Sequence, residues 1–341
     1  MAKSEMYKKA GVDIDAATFA LKKAKKFIKS TFNKNVAVDI GSFGGVYKIA
    51  KDRYLVSSID GVGTKLKIAH KLNIHTTVGQ DIVNHCVNDI LVMGARPLFF
   101  LDYFGTGKLN PKIFTDVLYG LSKACRENKC VLIGGETAEM PGVYKDDEYD
   151  LVGTIIGEIV NNKIITGERI KPGDIVLGLQ STGLHTNGYS LARKIFETAG
   201  ISYNKYVKEL KTTLGKALLK IHKSYFNSVY PAILRYFTFI HGLAHLTGGG
   251  FYDNIIRVLP DNCICVCLRG TWDVLPIFEL IQKIGNVKWQ EMHRVFNMGI
   301  GMILIVDKNK SKEIKKFLEL NGEKVFEIGQ IVKGKKEVVV E

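Results

Sequence analysis

Three short stretches in the first half of the chain bring together residues able to handle a phosphate and a hard cation. The first, Asp60-Gly61-Val62-Gly63-Thr64-Lys65, follows the strand-like run Tyr54 to Ile59. It places a carboxylate, two glycines, a hydroxyl and an ammonium at one strand exit. Glycine lets backbone N–H groups approach phosphate oxygens, Asp60 offers oxygen to a cation, and Lys65 opposes phosphate charge. The pattern G-x-x-x-x-G-K-[ST] is absent, so this is not a P-loop. Asp-Gly pairs also form ordinary turns, and a purely structural turn stays open for the segment alone.

The second stretch is Asp81-Ile82-Val83-Asn84-His85-Cys86-Val87-Asn88-Asp89. Helical spacing puts Asp81, His85, Asn88 and Asp89 on one face. A solvent-facing stripe is one alternative; the apolar continuation Ile90-Leu91-Val92-Met93 favours burial, and buried carboxylates require a cation or a partner. The third, Ile133 to Gly142, is a glycine-rich strand exit carrying Glu136 and Glu139. Oxygen ligands from Asp60, Asp81 or Asp89, and Glu136 together suit Mg²⁺, whereas zinc would want His and Cys.

Two stretches of the second half add to these. Ser181-Thr182-Gly183-Leu184-His185-Thr186-Asn187-Gly188-Tyr189-Ser190 opens a helix with an imidazole, an amide and hydroxyls near helix N-terminal amides, a setting that suits anions. His185 is either a satisfied structural histidine or a substrate contact or proton carrier. His245-Leu246-Thr247-Gly248-Gly249-Gly250-Phe251 holds three consecutive glycines, expected where a ligand or another backbone approaches closely, or in a flexible linker.

The elements that must position these stretches follow from periodicity. Strand-like runs Tyr54–Ile59, Leu98–Tyr103, Val131–Gly134 and Leu151–Val160 alternate with helical windows near Asp81–Met93 and Pro111–Asn128. The turn cluster Ile170-Lys171-Pro172-Gly173-Asp174 separates them from a second set: strands Ile175–Leu179, Cys263–Leu268, Gly301–Val306 and Phe326–Val332, with helices near Ser190–Ala199, Gly215–Phe237, Leu275–Ile284 and Lys310–Leu320. The expected fold is α+β with α/β layering. Residues 1–40, including a lysine-rich helix from Thr18 to Ser30, read as a docked arm, 41–165 as a first domain and 170–341 as a second.

With 341 residues and 46% hydrophobic content, the chain can bury a substantial core. No run approaches the roughly 18 apolar residues of a membrane span, and the polar Met1 to Ala10 has no signal-peptide core, so the expected compartment is the cytoplasm. Six cysteines without C-x-x-C spacing suggest neither disulfides nor zinc; Cys263, Cys265 and Cys267 alternate on one strand face as small core residues. A net charge of +14 suits anionic partners, but the lysines lie on helical faces without interleaved aromatics, so nucleic acid is not expected.

In order along the chain, Tyr7 to Asp15, Ser42-Phe43-Gly44-Gly45, Asp60 to Leu66, Val87 to Leu91, Pro97 to Tyr103, Gly105 to Leu109, Gly134 to Gly142, His185 to Leu191 and His245 to Phe251 resemble the phosphoribosylformylglycinamidine cyclo-ligase family. Each piece is weak alone; the ordered set is specific. The related selenophosphate synthetases, thiamine-monophosphate kinases, hydrogenase-maturation proteins and the larger purine amidotransferase fit less well. No Cys precedes Cys86, the chain ends Val338-Val339-Val340-Glu341 without a terminal Cys, the kinase's Asp-Asp pair is Ile59-Asp60, and 341 residues are too few for the amidotransferase. His185-Thr186-Asn187 departs from the family's more usual His-Ser-Asn by one hydroxyl exchange.

The resemblance implies a two-domain synthetase whose N-terminal sheet domain pairs into a barrel across a homodimer, above a C-terminal α/β domain. It implies ATP and Mg²⁺, with K⁺ as a second candidate cation, and formylglycinamidine ribonucleotide as substrate. Carried onto this sequence, Asp60, Gly61, Gly63, Thr64, Lys65, Asn88, Gly134, Gly135 and Thr137 meet the nucleotide, and Asp60, Asp81, Asp89 and Glu136 meet the metal. His185, Asn187 and Lys65 act in catalysis, and Gly44, Gly45, His245, Gly248, Gly249 and Gly250 contact substrate. A thiamine-phosphate-type kinase and a noncatalytic nucleotide-binding dimer remain as alternatives.

Overall fold

Local signals start several elements of the computed structural model, which describes residues 4–341; Met1, Ala2 and Lys3 of the expected arm lie outside the described residues. A short helix α1 (Glu5–Lys9) precedes α2 (Ile14–Lys29), which Asp13 caps by accepting from the Ala16 N–H at 3.0 Å. No residue of α2 is buried. Then come β1 (Gly45–Ala50), β2 (Arg53–Gly61), α3 (Leu66–Leu72), α4 (Thr76–Leu91), β3 (Arg96–Thr106), α5 (Pro111–Glu127), β4 (Val131–Glu139) and β5 (Tyr149–Val160). Asn110 caps α5 and Pro111 sits in its first turn, where its missing N–H costs nothing.

These five strands form one sheet in the order β1-β2-β5-β3-β4. Only β3 and β4 run parallel, and α5 supplies the crossover that parallel neighbours require. Helix α4 packs on one face, buried without a break from Val78 to Leu91. It can approach α5 closely because Gly79 and Gly120 face that helix: a Cβ on Gly79 would lie 2.3 Å from Val117 O, and one on Gly120 2.4 Å from Thr76 O. The opposite face is uncovered. Tyr47, Ile49, Ile59, Val131 and Ile133 project from it, with Ile59 67% and Ile133 61% exposed.

The second unit comprises β6 (Ile175–Gln180), α6 (Tyr189–Thr198), the small hairpin β7 (Tyr206–Val207) and β8 (Thr212–Thr213), α7 (Leu214–Leu218), α8 (Phe226–Tyr236), β9 (Ile240–His245), α9 (Gly250–Ile255), β10 (Cys263–Cys267), α10 (Pro276–Gly285), α11 (Trp289–Val295), β11 (Ile300–Val306), α12 (Ser311–Leu320), β12 (Val325–Lys333) and β13 (Glu337–Val340). Six strands make the sheet β13-β10-β12-β6-β11-β9. Cys263, Cys265 and Cys267 are fully buried on one face of β10, as their alternation requires. The architecture is thus mixed α/β in two layered units.

One element departs from expectation. The window Gly215–Phe237 reads as a continuous helix but breaks into α7 and α8, with residues 219–225 irregular between them. Their backbone groups are used elsewhere: Lys220 O accepts from Lys65, His222 N donates to Asp81, His222 O accepts from Asn84, and Lys223 O accepts from Asn88. Groups that a helix would pair internally instead bond to α4 and Lys65.

Candidate active site

The polar stripe of α4 is buried, and each of its residues has a partner in the second unit. Asp81 Oδ1 accepts from His222 N at 2.7 Å; Asn88 Oδ1 accepts from Tyr225 N at 3.0 Å while its Nδ2 donates to Lys223 O at 2.8 Å. His85 Nδ1 lies 2.7 Å from Thr186 Oγ1, and Asp89 Oδ1 lies 2.8 Å from His245 Nδ1. The stripe that looked misplaced on a packed helix is the seam between the two units.

Lys65 points into the seam between the two units. Its side chain is fully buried, with Nζ 2.8 Å from Asp81 Oδ2, 3.0 Å from His185 O and 2.7 Å from Lys220 O. Asp81 is equally enclosed, which removes it from the metal set. Burial pulls the Lys65 pKa below its ordinary value and pushes that of Asp81 up, while their attraction opposes both changes. Thr64 also points across the seam, its Oγ1 3.0 Å from Ser190 Oγ.

Asp60 and Asp89 do converge. His85 Nε2 lies 2.9 Å from Asp60 Oδ2 and 3.7 Å from Asp89 Oδ2. Burial alone would lower the pKa of His85, but the two carboxylates outweigh it and raise it to about 9, making the ring an imidazolium. Burial pushes Asp60 up, and His85 more than reverses this, so its carboxyl is held below the usual value. Two carboxylates sharing one positive charge form a donor set that fits a hard dication. The Asp60 side chain is 43% exposed and forms the open rim of the group.

Glu136 cannot join them within one chain. Asp60 pairs with Gly153 of β5, Gly153 with Asp102 of β3, and Asp102 with Gly135 of β4. Three strand spacings of about 4.8 Å therefore separate Asp60 from Gly135, and Glu136, the next residue, projects from the opposite face. Gly135 and Thr137 share that strand; a Cβ on Gly135 would lie 2.4 Å from Asp102 Oδ1, so close packing explains this glycine, whereas Gly134 faces open space. Burial raises the Asp102 carboxyl to about 6.

In the second unit, His185 adopts φ +61° and is fully buried, its Nε2 accepting from Thr182 N at 3.3 Å. Its imidazole faces the protein interior and not the open rim. Its ring stacks on His222 at 4.0 Å and 19°. Asn187 is more open, with Nδ2 3.3 Å from Thr186 Oγ1, and it lies beside Gly248, whose added Cβ would be 3.2 Å from Asn187 Oδ1. Gly249 (φ +97°) and Gly250 (φ +55°) answer a packing need: a Cβ on Gly250 would stand 2.0 Å from His293 O. His245, fully buried, holds Asp89 and does not reach the rim. Gly44 and Gly45 line a cavity of about 520 Å³ with Ser42, Phe43 and Ser57 to Ile59, next to Asp60 along β2. A larger cavity, about 690 Å³, lies elsewhere, between Phe104, Thr106, Lys108, Leu109 and Asp146 to Tyr149.

Reasoning from sequence missed His222, which sits at the centre of the seam inside a stretch patterned like helix. Its neighbours there are His85, His185 and His245, with ring centroids at 5.2, 4.0 and 5.0 Å.

This combination of fold and seam defines an AIR-synthase-related protein: the family models described as "AIR synthase related protein" match residues 41–159 for the N-terminal domain and 171–341 for the C-terminal domain. The chain is 47% identical over 340 residues to the phosphoribosylformylglycinamidine cyclo-ligase of Syntrophotalea carbinolica, covering 98% of this chain and 97% of that one. It is 46% identical over 333 residues to the cyclo-ligase of Acetivibrio thermocellus, covering 96% and 97%. The chain belongs to the phosphoribosylformylglycinamidine cyclo-ligase family. Thiamine-monophosphate kinase from Stenotrophomonas maltophilia shares the fold with a TM-score of 0.63 at 14% identity over 95% of this chain and 96% of that one. Hydrogenase maturation protein HypE does so with 0.62 at 19% over 92% of each.

Proposed function

We propose that the chain uses ATP to close the imidazole ring of formylglycinamidine ribonucleotide, yielding 5-aminoimidazole ribonucleotide, ADP and phosphate in purine biosynthesis. The observation that carries this reading is the convergence of Asp60 and Asp89 on the charge of His85, whose other nitrogen meets Thr186, the neighbour of Asn187, in a member of the cyclo-ligase family. The γ-phosphoryl group passes to the formyl-amide oxygen, the substrate's amidine nitrogen attacks that carbon, and phosphate leaves with the oxygen as the nitrogen loses a proton. Since the nucleophile is the substrate's own, the protein contributes positioning and charge stabilisation.

Asp60 and Asp89 would hold Mg²⁺, which when bound offsets the charge of the ATP phosphates; K⁺ is a second candidate. Gly61, Gly63 and Thr64 meet the nucleotide, Asn187 and Gly248 the substrate, with Gly44 and Gly45 lining its groove. Lys65 and Asn88 act from the interior by fixing the His185 and 219–225 loops, His185 stands behind Asn187, and His245 orients Asp89. The uncovered apolar face of the first sheet favours a homodimer in which two such faces close a barrel. Gly134, Gly135 and Thr137 on β4 would then meet the nucleotide, and Glu136 the metal, from across that interface. Residues 41–165 form the nucleotide-binding and dimerisation domain, 170–341 the synthetase domain, and 1–40 an arm, in a cytoplasmic enzyme.

An ADP-coupled assay with formylglycinamidine ribonucleotide against thiamine phosphate tests this. ADP release with the former alone supports cyclo-ligation; release with thiamine phosphate, or with neither, contradicts it.

A further inference from the structure

His222 has no part in the proposed chemistry, yet it stands at the centre of a cluster of buried imidazoles. His222 Nε2 and His245 Nε2 face each other at 3.0 Å, both fully buried. Asp89 Oδ1 lies 2.8 Å from His245 Nδ1 and turns the Nε2 of that ring towards His222. The Asn88 amide, oriented by Tyr225 N and Lys223 O, places its Nδ2 3.3 Å from His222 Nε2. The two facing nitrogens converge on one point, which a shared proton or a metal ion can fill.

A third imidazole is at hand. One nitrogen each from His185, His222 and His245 lie within 4.8 Å of one another, and His185 Nδ1 is a buried atom without a hydrogen-bond partner. Two nitrogens on a tetrahedral Zn²⁺, each about 2.05 Å from it, lie about 3.3 Å apart, close to the observed spacing. Asp89 behind His245 is the carboxylate that commonly orients such a ligand.

We propose that His185, His222 and His245 form a binding site for a dication of the Zn²⁺ class, distinct in donor chemistry from the oxygen site at Asp60 and Asp89. The His185 ring stacks on His222 at 4.0 Å and 19°. The three ligands come from the loop before α6, the 219–225 segment and the end of β9, so an ion ties together the loops that carry Asn187 and Gly248. Occupancy then inhibits turnover. That consequence rests on the proposed function; the binding does not.

The test uses the full-length chain, stripped of metal by a chelator and titrated with Zn²⁺ and, separately, Co²⁺, without nucleotide. The site predicts one tight equivalent and the visible absorption of tetrahedral, nitrogen-ligated Co²⁺. His222→Tyr, with His222→Gln as a second variant should the first misfold, weakens binding at least about tenfold and removes the absorption. His241→Gln, at the separate cluster of Asp174, His241 and Asp307, leaves both unchanged. Equal affinity and spectrum in folded His222 variants overturn the site. Zn²⁺ inhibition is read for each protein against its own turnover with Mg²⁺ and no Zn²⁺; inhibition of wild type that persists in the His222 variants overturns the inhibitory role. Zn²⁺-free wild-type turnover with Mg²⁺, measured first, reports separately on the proposed function.

Discussion

Lys65 Nζ lies 2.8 Å from Asp81 Oδ2 with neither side chain reaching solvent, and the same ammonium is bonded to two carbonyls of the second unit. A pair so placed costs more to break than to omit. Lys65→Met or Asp81→Asn alone is expected to destabilise by about 3–5 kcal/mol, because each leaves an uncompensated buried charge. The double variant Lys65→Met with Asp81→Leu recovers part of that loss. Denaturant unfolding of both singles and the double gives the coupling directly.

Asp60 behaves differently because its carboxylate sits at the rim. Asp60→Asn is expected to leave the circular dichroism spectrum and Tm near wild type while lowering ATP-dependent turnover by about 100-fold or more. Near-normal cyclisation by the purified variant would exclude the cation role.

Buried neutral histidines make the fold acid-sensitive. Burial holds His75 and His293 to about 4, and His185 and His222 are lowered for the same reason. Between about 6.5, the unfolded value, and about 4, the unfolded chain binds more protons, so stability is full above 6.5 and falls as pH drops towards 4. His85 has the opposite sign. Raised to about 9 by Asp60 and Asp89 despite burial, it stabilises fully below 6.5 and loses that contribution as pH rises through 9. Urea midpoints measured from pH 4.5 to 9.5 should trace a dome; a flat acid limb would contradict the buried neutral imidazoles.

Two glycines should separate packing from ligand contact. Gly79→Ala drives a Cβ to 2.3 Å from Val117 O between α4 and α5 and is expected to destabilise by about 1–3 kcal/mol. Gly134→Ala meets nothing within 4 Å and should leave Tm unchanged while raising KM for ATP. A loss of stability without a KM effect would make Gly134 a structural glycine.

Much of the site was legible because residue type and period constrain it strongly. The polar face of α4 follows from the spacing of Asp81, His85, Asn88 and Asp89, and its apolar continuation indicated burial. What the pattern could not give was the direction in which a side chain leaves its turn. Lys65 follows two glycines as a phosphate-binding lysine would, yet points inward, because Asp81 lies one helix away in space and sixteen residues away in sequence. Glu136 needed strand order to be placed: only the pairing β2-β5-β3-β4 shows that Asp60 is three strands distant. Gly249 and Gly250 carry the same letters as ligand glycines but answer to His293 and Asp253. His222 was hidden because a helix-like composition gave no sign that 219–225 would trade internal hydrogen bonds for bonds to α4 and Lys65.

The central claim, phosphorylation of the formyl-amide oxygen before ring closure, has a direct isotopic test. Formylglycinamidine ribonucleotide carrying ¹⁸O in the formyl-amide carbonyl is turned over with unlabelled ATP in ordinary water, and the released phosphate is analysed by mass spectrometry. The mechanism predicts one ¹⁸O in each phosphate formed. Unlabelled phosphate accompanying aminoimidazole ribonucleotide would contradict it.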